Sequence, residues 1–191
     1  MSKKISIPPE LSKRYQEGRL IPFIGAGISM SLCWKDSSGK KKRGPSWTEL
    51  VDEAMKIMGF LDSDLLRFRG TDLQILEYFS CIEGKNDKLK NWLVKELDAP
   101  DQVLKDSPIH IALAQLEKCK RFYTTNYDNF LERSLILLER SIKTIVEERH
   151  MGYVRNNETE VIKFHGDLDN ADKMVLSESD YEKRLSFQDV L

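Results

Sequence analysis

The chain has 191 residues, 40% of them apolar, with 30 lysines and arginines facing 31 aspartates and glutamates. That length suits one α/β domain with a real core rather than two, and the apolar content argues against disorder. The near-balance of charge gives no whole-chain attraction to nucleic acid or to a membrane surface.

Three widely spaced cysteines, Cys33, Cys81 and Cys119, form no CxxC pair, which argues against a disulfide framework or a four-thiolate zinc site and suits a reducing compartment. The opening MSKKISIPPE carries no apolar stretch of signal-peptide length, and no segment approaches the ~20 apolar residues of a membrane span. A cytoplasmic location is expected.

In chain order, Pro8-Pro9 opens a short helix over residues 8–18. The run LIPFI (20–24) before glycine reads as a buried strand, although Pro22 speaks against a central position. Residues 34–45 read as a polar loop, whose KKKR at 40–43 is expected to be a solvated charge run. Ser46 and Glu49 form a capping-box pattern ahead of an amphipathic helix, and further helices are predicted over 72–83 and 87–97, joined by the turn EGKND. Residues 65–79 are apolar at helical spacing and read as core or as a contact with another subunit. Ser107-Pro108 opens the next helix, with serine as N-cap. RFYTT (121–125), KTIVE (143–147) and EVIKF (160–164) read as strands, with a leucine-rich helix at about 128–140 and a final helix over 177–191 capped by Ser177. Strands alternating with helices imply a parallel sheet covered on both faces.

Three unusual stretches each follow a predicted strand: GAGIS (25–29), TTNYD (124–128) and HGDL (165–168). In a parallel sheet those ends share the edge at which ligands bind, so the three stretches converge in space. Gly25 permits a tight turn and Gly27 a close approach to the backbone, where amides at a helix start suit a pyrophosphate. Met30 stands where the usual dinucleotide fingerprint has a third glycine, so this is no ordinary dehydrogenase motif. A glycine turn without any ligand explains the stretch about as well. Asn126 offers both a donor and an acceptor, and Asp128 a carboxylate, for a ribose hydroxyl, a carboxamide or an attacking water. The plainer account is a turn at Asn126 and a helix cap at Asp128, which Asp128 can provide alongside a site role. His165 is suited to base or orienting chemistry beside the bare backbone of Gly166. His110, in the first turn of a predicted helix, reads as structural, and His150, within EERHMGY, as solvated.

The order GAG-x-S, then PIHIALAQL (108–116), then TTNYD, then FHG resembles the sirtuin fold over about residues 18–185. The variant TTNYD…HGDL, with PSW (45–47) after the first loop, is similar to the bacterial sirtuin-like NAD hydrolases of antiphage defence. The resemblance implies a Rossmann-type parallel sheet with helices on both faces and a helical insertion between the first and second core strands. It implies that Asn126 and His165 cleave the nicotinamide–ribose bond, while Gly25, Ala26, Gly27, Ser29, Thr125 and Asp128 hold NAD. The four zinc-binding cysteines of deacylating sirtuins are missing, since no cysteine follows Cys119, so no zinc module and no metal are expected. GPSW stands roughly where classical sirtuins carry P-D-F-R, and Trp47 is expected in the helix core or lining the site. Relatives continue with another apolar strand and a glycine-rich loop, so residues 1–191 are expected to form a single domain truncated at its C-terminal end.

The activity the resemblance implies is hydrolysis of NAD to ADP-ribose and nicotinamide, with depletion of NAD during abortive infection as its effect. Such an enzyme needs restraint, so its trigger is expected in further sequence or in a partner such as a separate sensor or ATPase; a homo-oligomer is also expected, with no membrane or direct nucleic-acid contact. Two alternatives stay open: a protein deacylase or ADP-ribosyltransferase using the same site, and a non-catalytic module that binds NAD or ADP-ribose for assembly.

Overall fold

A computed structural model describes residues 6–60, 63–84, 86–147, 149–150, 157–169 and 173–190, with backbone alone for 63 and 185–190. Four parallel strands form the central sheet in the order β1 (Phe23–Ile24), β4 (Arg121–Thr124), β6 (Thr159–Lys163), β5 (Ile142–Ile145). The registers place Phe23 beside Tyr123 and Ile24 beside Thr124, and continue Thr124 to Lys163 and Phe122 to Val161. Side chains alternate between sheet faces. One face therefore carries Ile24, Phe122 and Val161, which pack with Ala114, Leu131 and Leu135 of the helices α8 (Pro108–Ala114) and α9 (Phe130–Leu137). The opposite face carries a ring cluster in which Phe23 stacks on Phe164 and Tyr123 meets both edge to face. The expected Rossmann-type α/β architecture is present.

Pro22 explains why the first strand is so short. It cannot donate to a ladder, yet its carbonyl accepts from the Tyr123 amide at 2.9 Å, so pairing begins through the one group proline retains. Among the described residues β1 pairs on one side only, the place where a sheet tolerates proline.

The polar loop expected over 34–45 is instead a small antiparallel hairpin, β2 (Trp34–Lys35) with β3 (Lys41–Lys42). Asp36 closes it by accepting from the Ser38 amide, the Ser38 hydroxyl and the Lys40 amide, and the buried Trp34 ring anchors it edge-on against Phe130. Short loop chemistry hid two strands of two residues each. The KKKR run is not merely solvated: Lys42 pairs with Glu96 at 3.0 Å and Arg43 with Glu49 at 2.8 Å.

Between β1 and β4 lies the helical insertion: α3 (Trp47–Ile57), α4 (Ser63–Arg67), α5 (Asp72–Glu83), α6 (Asp87–Glu96) and α7 (Asp101–Lys105), after the single turn α2 (Gly27–Met30) and before α8. The capping box at Ser46 and Glu49 forms as its sequence predicts, and a second one at Thr71 and Gln74 opens α5. Leu50, Val51, Met55, Leu76, Phe79, Leu89 and Leu93 bury against Met174 and Leu176, which fastens the insertion to the chain beyond β6. Residues 65–79 thus supply core through Ile75, Leu76 and Phe79. Within the EGKND turn, residue 85 lies outside the described residues. Ser107 occupies the N-cap position of α8, but its hydroxyl bonds His110 Nδ1 at 2.8 Å rather than a backbone amide. The first helix, α1 (Pro9–Gln16), and the last, α10 (Glu178–Val190), fall within their predicted spans, with residue 191 outside the described set. Ser177 and Asp180 close a reciprocal cap at the start of α10.

Ser46→Ala removes the acceptor for the Glu49 amide and should lower stability by about 1 kcal/mol, measured as a lower urea midpoint with an unchanged slope. An unchanged midpoint would contradict this role for the cap.

Candidate functional site

Parallel register brings the ends of β1, β4 and β6 side by side, and with them residues 25–29, 125–128 and 164–166. The Thr125 amide continues the ladder to the Ile24 carbonyl at 3.1 Å, and the Phe164 amide does the same to Thr124 at 2.9 Å. The convergence expected from sequence is therefore present.

Gly27 does not have a left-handed backbone, and a Cβ built there meets nothing within 4 Å. The fold itself does not require glycine at this position. A bare backbone facing open space is what close approach of a ligand would require.

Ser29, Asn126 and Asp128 form a buried relay with one possible polarity. The Ser29 hydroxyl donates to Asp128 Oδ2 at 2.6 Å, because a carboxylate only accepts. Having spent its single hydrogen, Ser29 Oγ accepts from Asn126 Nδ2 at 2.9 Å. That assignment turns Asn126 Oδ1 the other way, where it is buried without a partner. The backbone around the relay is fixed as well. Asn126 donates its amide to Thr124 Oγ1 at 3.0 Å, and Asp128 Oδ1 accepts the Phe130 amide at 3.1 Å, so Asp128 also caps α9. An orphaned buried acceptor costs about 1–3 kcal/mol. A ligand that donates to Asn126 would relieve that cost.

His165 sits half-buried beyond β6 with Nε2 at 3.3 Å from the Tyr181 hydroxyl, the two rings edge to face. Burial, and then the Arg184 guanidinium, hold its pKa below the usual imidazole value, which favours the neutral ring. Arg184 is itself spread over the carbonyls of Val146, Lys163 and Phe164, tying α10 to the strand ends. Gly166 turns the chain sharply with φ of 78°, and a Cβ there would lie 2.2 Å from the Lys173 carbonyl oxygen. Its bareness thus serves the return of the chain, in which the Val175 amide reaches the His165 carbonyl at 2.9 Å. Tyr127 braces the same return by donating its hydroxyl to the Val175 carbonyl at 2.6 Å, and burial pushes its pKa well up, keeping it a donor.

These groups enclose a cavity of about 300 Å³ lined by Ala26, Ser29, Thr125, Asn126, Asp128 and His165, all six singled out by sequence. Trp47 and Tyr181 also line it. Trp47 packs against the insertion core too, so it has both of the roles weighed for it. Gly25 and Gly27 belong to the same turn but are not lining residues. Sequence reasoning does not single out Tyr181; a tyrosine in the first turn of a helix carries no local signature. His110 is fully buried on α8, with burial lowering its pKa and Asp128 opposing that shift, in keeping with its structural reading. His150 is half-buried rather than solvated, and its Nδ1 accepts from the Val146 amide at 3.5 Å. Among the described residues no group of three or more His, Cys, Asp or Glu side chains is placed to hold a metal ion, and no helix is long and apolar enough to cross a membrane.

Residues 120–191 match the SIR2-like domain family. Over 185 residues, 96% of the chain, it is 30% identical to the NAD(+) hydrolase ThsA of Enterococcus faecium, covering 35% of that protein. Over 174 residues, 91% of the chain, it is 25% identical to the NAD(+) hydrolase ThsA of Cytobacillus dafuensis, covering 31% of it. The chain thus spans about a third of the length of these curated relatives.

Gly166→Ala forces an L-residue into a left-handed conformation against backbone and should cost at least about 2 kcal/mol, measured by urea unfolding; a variant as stable as the parent would contradict the close approach. The two depressed imidazoles also set a pH dependence. As pH falls, the unfolded chain takes up protons before the folded one, so their contribution is full above about pH 6.5 and is lost through the lower folded-state values. Urea unfolding at pH 5.5 should show less stability than at pH 7.5, and His110→Gln should reduce that difference. A difference unaltered by the substitution would contradict this assignment.

Proposed function

Because residues 120–191 match the SIR2-like domain family, we propose that the chain is an NAD-hydrolysing domain, converting NAD and water to ADP-ribose and nicotinamide. The observation that carries this reading is the unpartnered, buried Asn126 Oδ1, fixed in orientation by Ser29 and Asp128, on a residue that lines a cavity with His165. The names of the two relatives support the same chemistry.

In the proposed reaction the bond between ribose C1′ and the nicotinamide nitrogen breaks, and its electron pair neutralises the pyridinium. The positive charge left on the ribose is oxocarbenium-like. The preorganised Asn126 amide oxygen is suited to stabilise that charge or to accept from the attacking water. Water adds to C1′ and loses a proton. His165, favoured as the neutral ring, takes that proton or orients a ribose hydroxyl. Gly25, Ala26 and Gly27 give the pyrophosphate access to main-chain amides, with Thr125 alongside. Ser29 and Asp128 act on NAD mainly through Asn126. No step uses a metal.

We further propose that this activity depletes cellular NAD in the cytoplasm as the effector of abortive infection, restrained within a homo-oligomer until a sensor or ATPase partner releases it. The single-domain reading of residues 1–191 belongs to the same proposal.

Nicotinamide and ADP-ribose released from NAD should be measured for the parent, Asn126→Ala and His165→Ala. Each substitution should lower kcat by about 100-fold or more. Turnover that survives both would contradict the assigned site. NAD binding by calorimetry without turnover would favour the non-catalytic module, and neither binding nor turnover would overturn the proposal.

A further inference from the structure

Lys163 is the last residue of β6 and shares a row with Ile24 and Thr124 on the sheet face that α9 covers. That row calls for apolar side chains, yet it holds a lysine that is 1% exposed. Its ammonium pairs with Glu132 Oε1 at 3.0 Å, and the Glu132 side chain is itself 7% exposed. Burial pushes the Glu132 pKa up while the Lys163 charge opposes that shift, and Oε2 has no hydrogen-bond partner.

Stability alone is a poor explanation for this arrangement. A buried ion pair loses its hydration, and a well-packed apolar pair of similar size is often as stable or more so. An apolar pair, however, cannot donate hydrogen bonds. Lys163 Nζ donates to the Asp128 carbonyl at 2.6 Å and to the Tyr127 carbonyl at 3.2 Å. These two peptide groups follow directly after Asn126, where the chain has left β4 and has not yet entered α9.

The surroundings show why such a clamp is needed. Residues 127–128 line the cavity with Asn126 and His165. They also line a second cavity of about 420 Å³, together with Asn129, Glu132, Lys163 and Leu168. The Tyr127 ring packs against the insertion core, but the segment borders two cavities, so hydrogen bonds to its carbonyls help fix the backbone. The Leu168 amide adds a longer one to the Tyr127 carbonyl, at 3.3 Å.

We propose that Lys163, aimed and charge-balanced by Glu132, is a positioning residue: it holds the Tyr127 and Asp128 carbonyls so that Asp128 and Ser29 can present Asn126 to the substrate. The kinetic part of this inference rests on the proposed NAD hydrolysis; the geometric part does not.

The test is the double variant Lys163→Met/Glu132→Leu, which removes both charges and keeps the volume. Its urea midpoint should stay near that of the parent, while kcat for nicotinamide release falls about tenfold or more and KM changes less than about threefold. In an Asn126→Ala background the same pair of substitutions should cost little further, because both act through one side chain. Lys163→Arg, which keeps a cationic donor, should retain more kcat than Lys163→Met, a ranking that stands even if the double variant unfolds. A separate readout needs no turnover: the Asn126 side-chain amide resonances should shift and lose exchange protection in the double variant. Parent-like kcat, additive losses, or unchanged Asn126 resonances would overturn the clamp. A parent that releases no nicotinamide would count against the hydrolase reading alone, with the resonances still deciding the clamp.

Discussion

A carboxylate accepts and a hydroxyl has one hydrogen. From those two facts the orientation of Asn126 follows: Asp128 takes the Ser29 hydrogen, Ser29 takes an Asn126 hydrogen, and the amide oxygen is left for something else. Much of the local structure serves that arrangement. Asp128 stands at the junction of β4 and α9 and uses its second oxygen to start the helix. Ser29 is held by the single turn after the GAG stretch, and strand register sets the separation between them. Moving either backbone would break the relay, so the short β1 matters more than its two residues suggest.

The second constraint is enclosure. The insertion brings Trp47 and Leu50 to one side of the cavity and α10 brings Tyr181 to another. The Glu77 carboxylate on Ser179 and the Arg184 guanidinium on strand-end carbonyls help hold α10 in place. Arg184 also disfavours the protonated form of His165, so the group that fixes the wall helps keep the imidazole neutral. Structure and electrostatics are coupled there through one side chain.

Much of this was legible in the sequence because it depends on local rules. Strand ends followed by glycine, a serine three residues before glutamate, and an asparagine and aspartate closing a β-branched strand each carry a short-range signal. The convergence of 25–29, 124–128 and 165–168 needed only the assumption of a parallel sheet. What stayed hidden depends on long-range geometry. Whether Ser29 faces a ligand or Asp128 requires the distance across two strands. Tyr181 enters the site because α10 folds back over the sheet edge. The burial of Lys163 could have been read from its period-2 spacing to Val161, but Glu132 as its partner requires knowing that α9 covers that face. The hairpin at 34–42 was missed because two-residue strands lie below the reach of any periodicity.

The central claim is that the relay leaves Asn126 Oδ1 available for a bound ligand. The most direct measurement is a crystal structure of the chain with ADP-ribose or NAD bound. The account predicts a ligand in the cavity beside His165, with a donor group about 3 Å from Asn126 Oδ1 and the Ser29–Asp128 hydrogen bond unbroken. A ligand seated in the second cavity, the one lined by Glu132 and Lys163, or one that pulls Ser29 away from Asp128 to reach its phosphates, would contradict it.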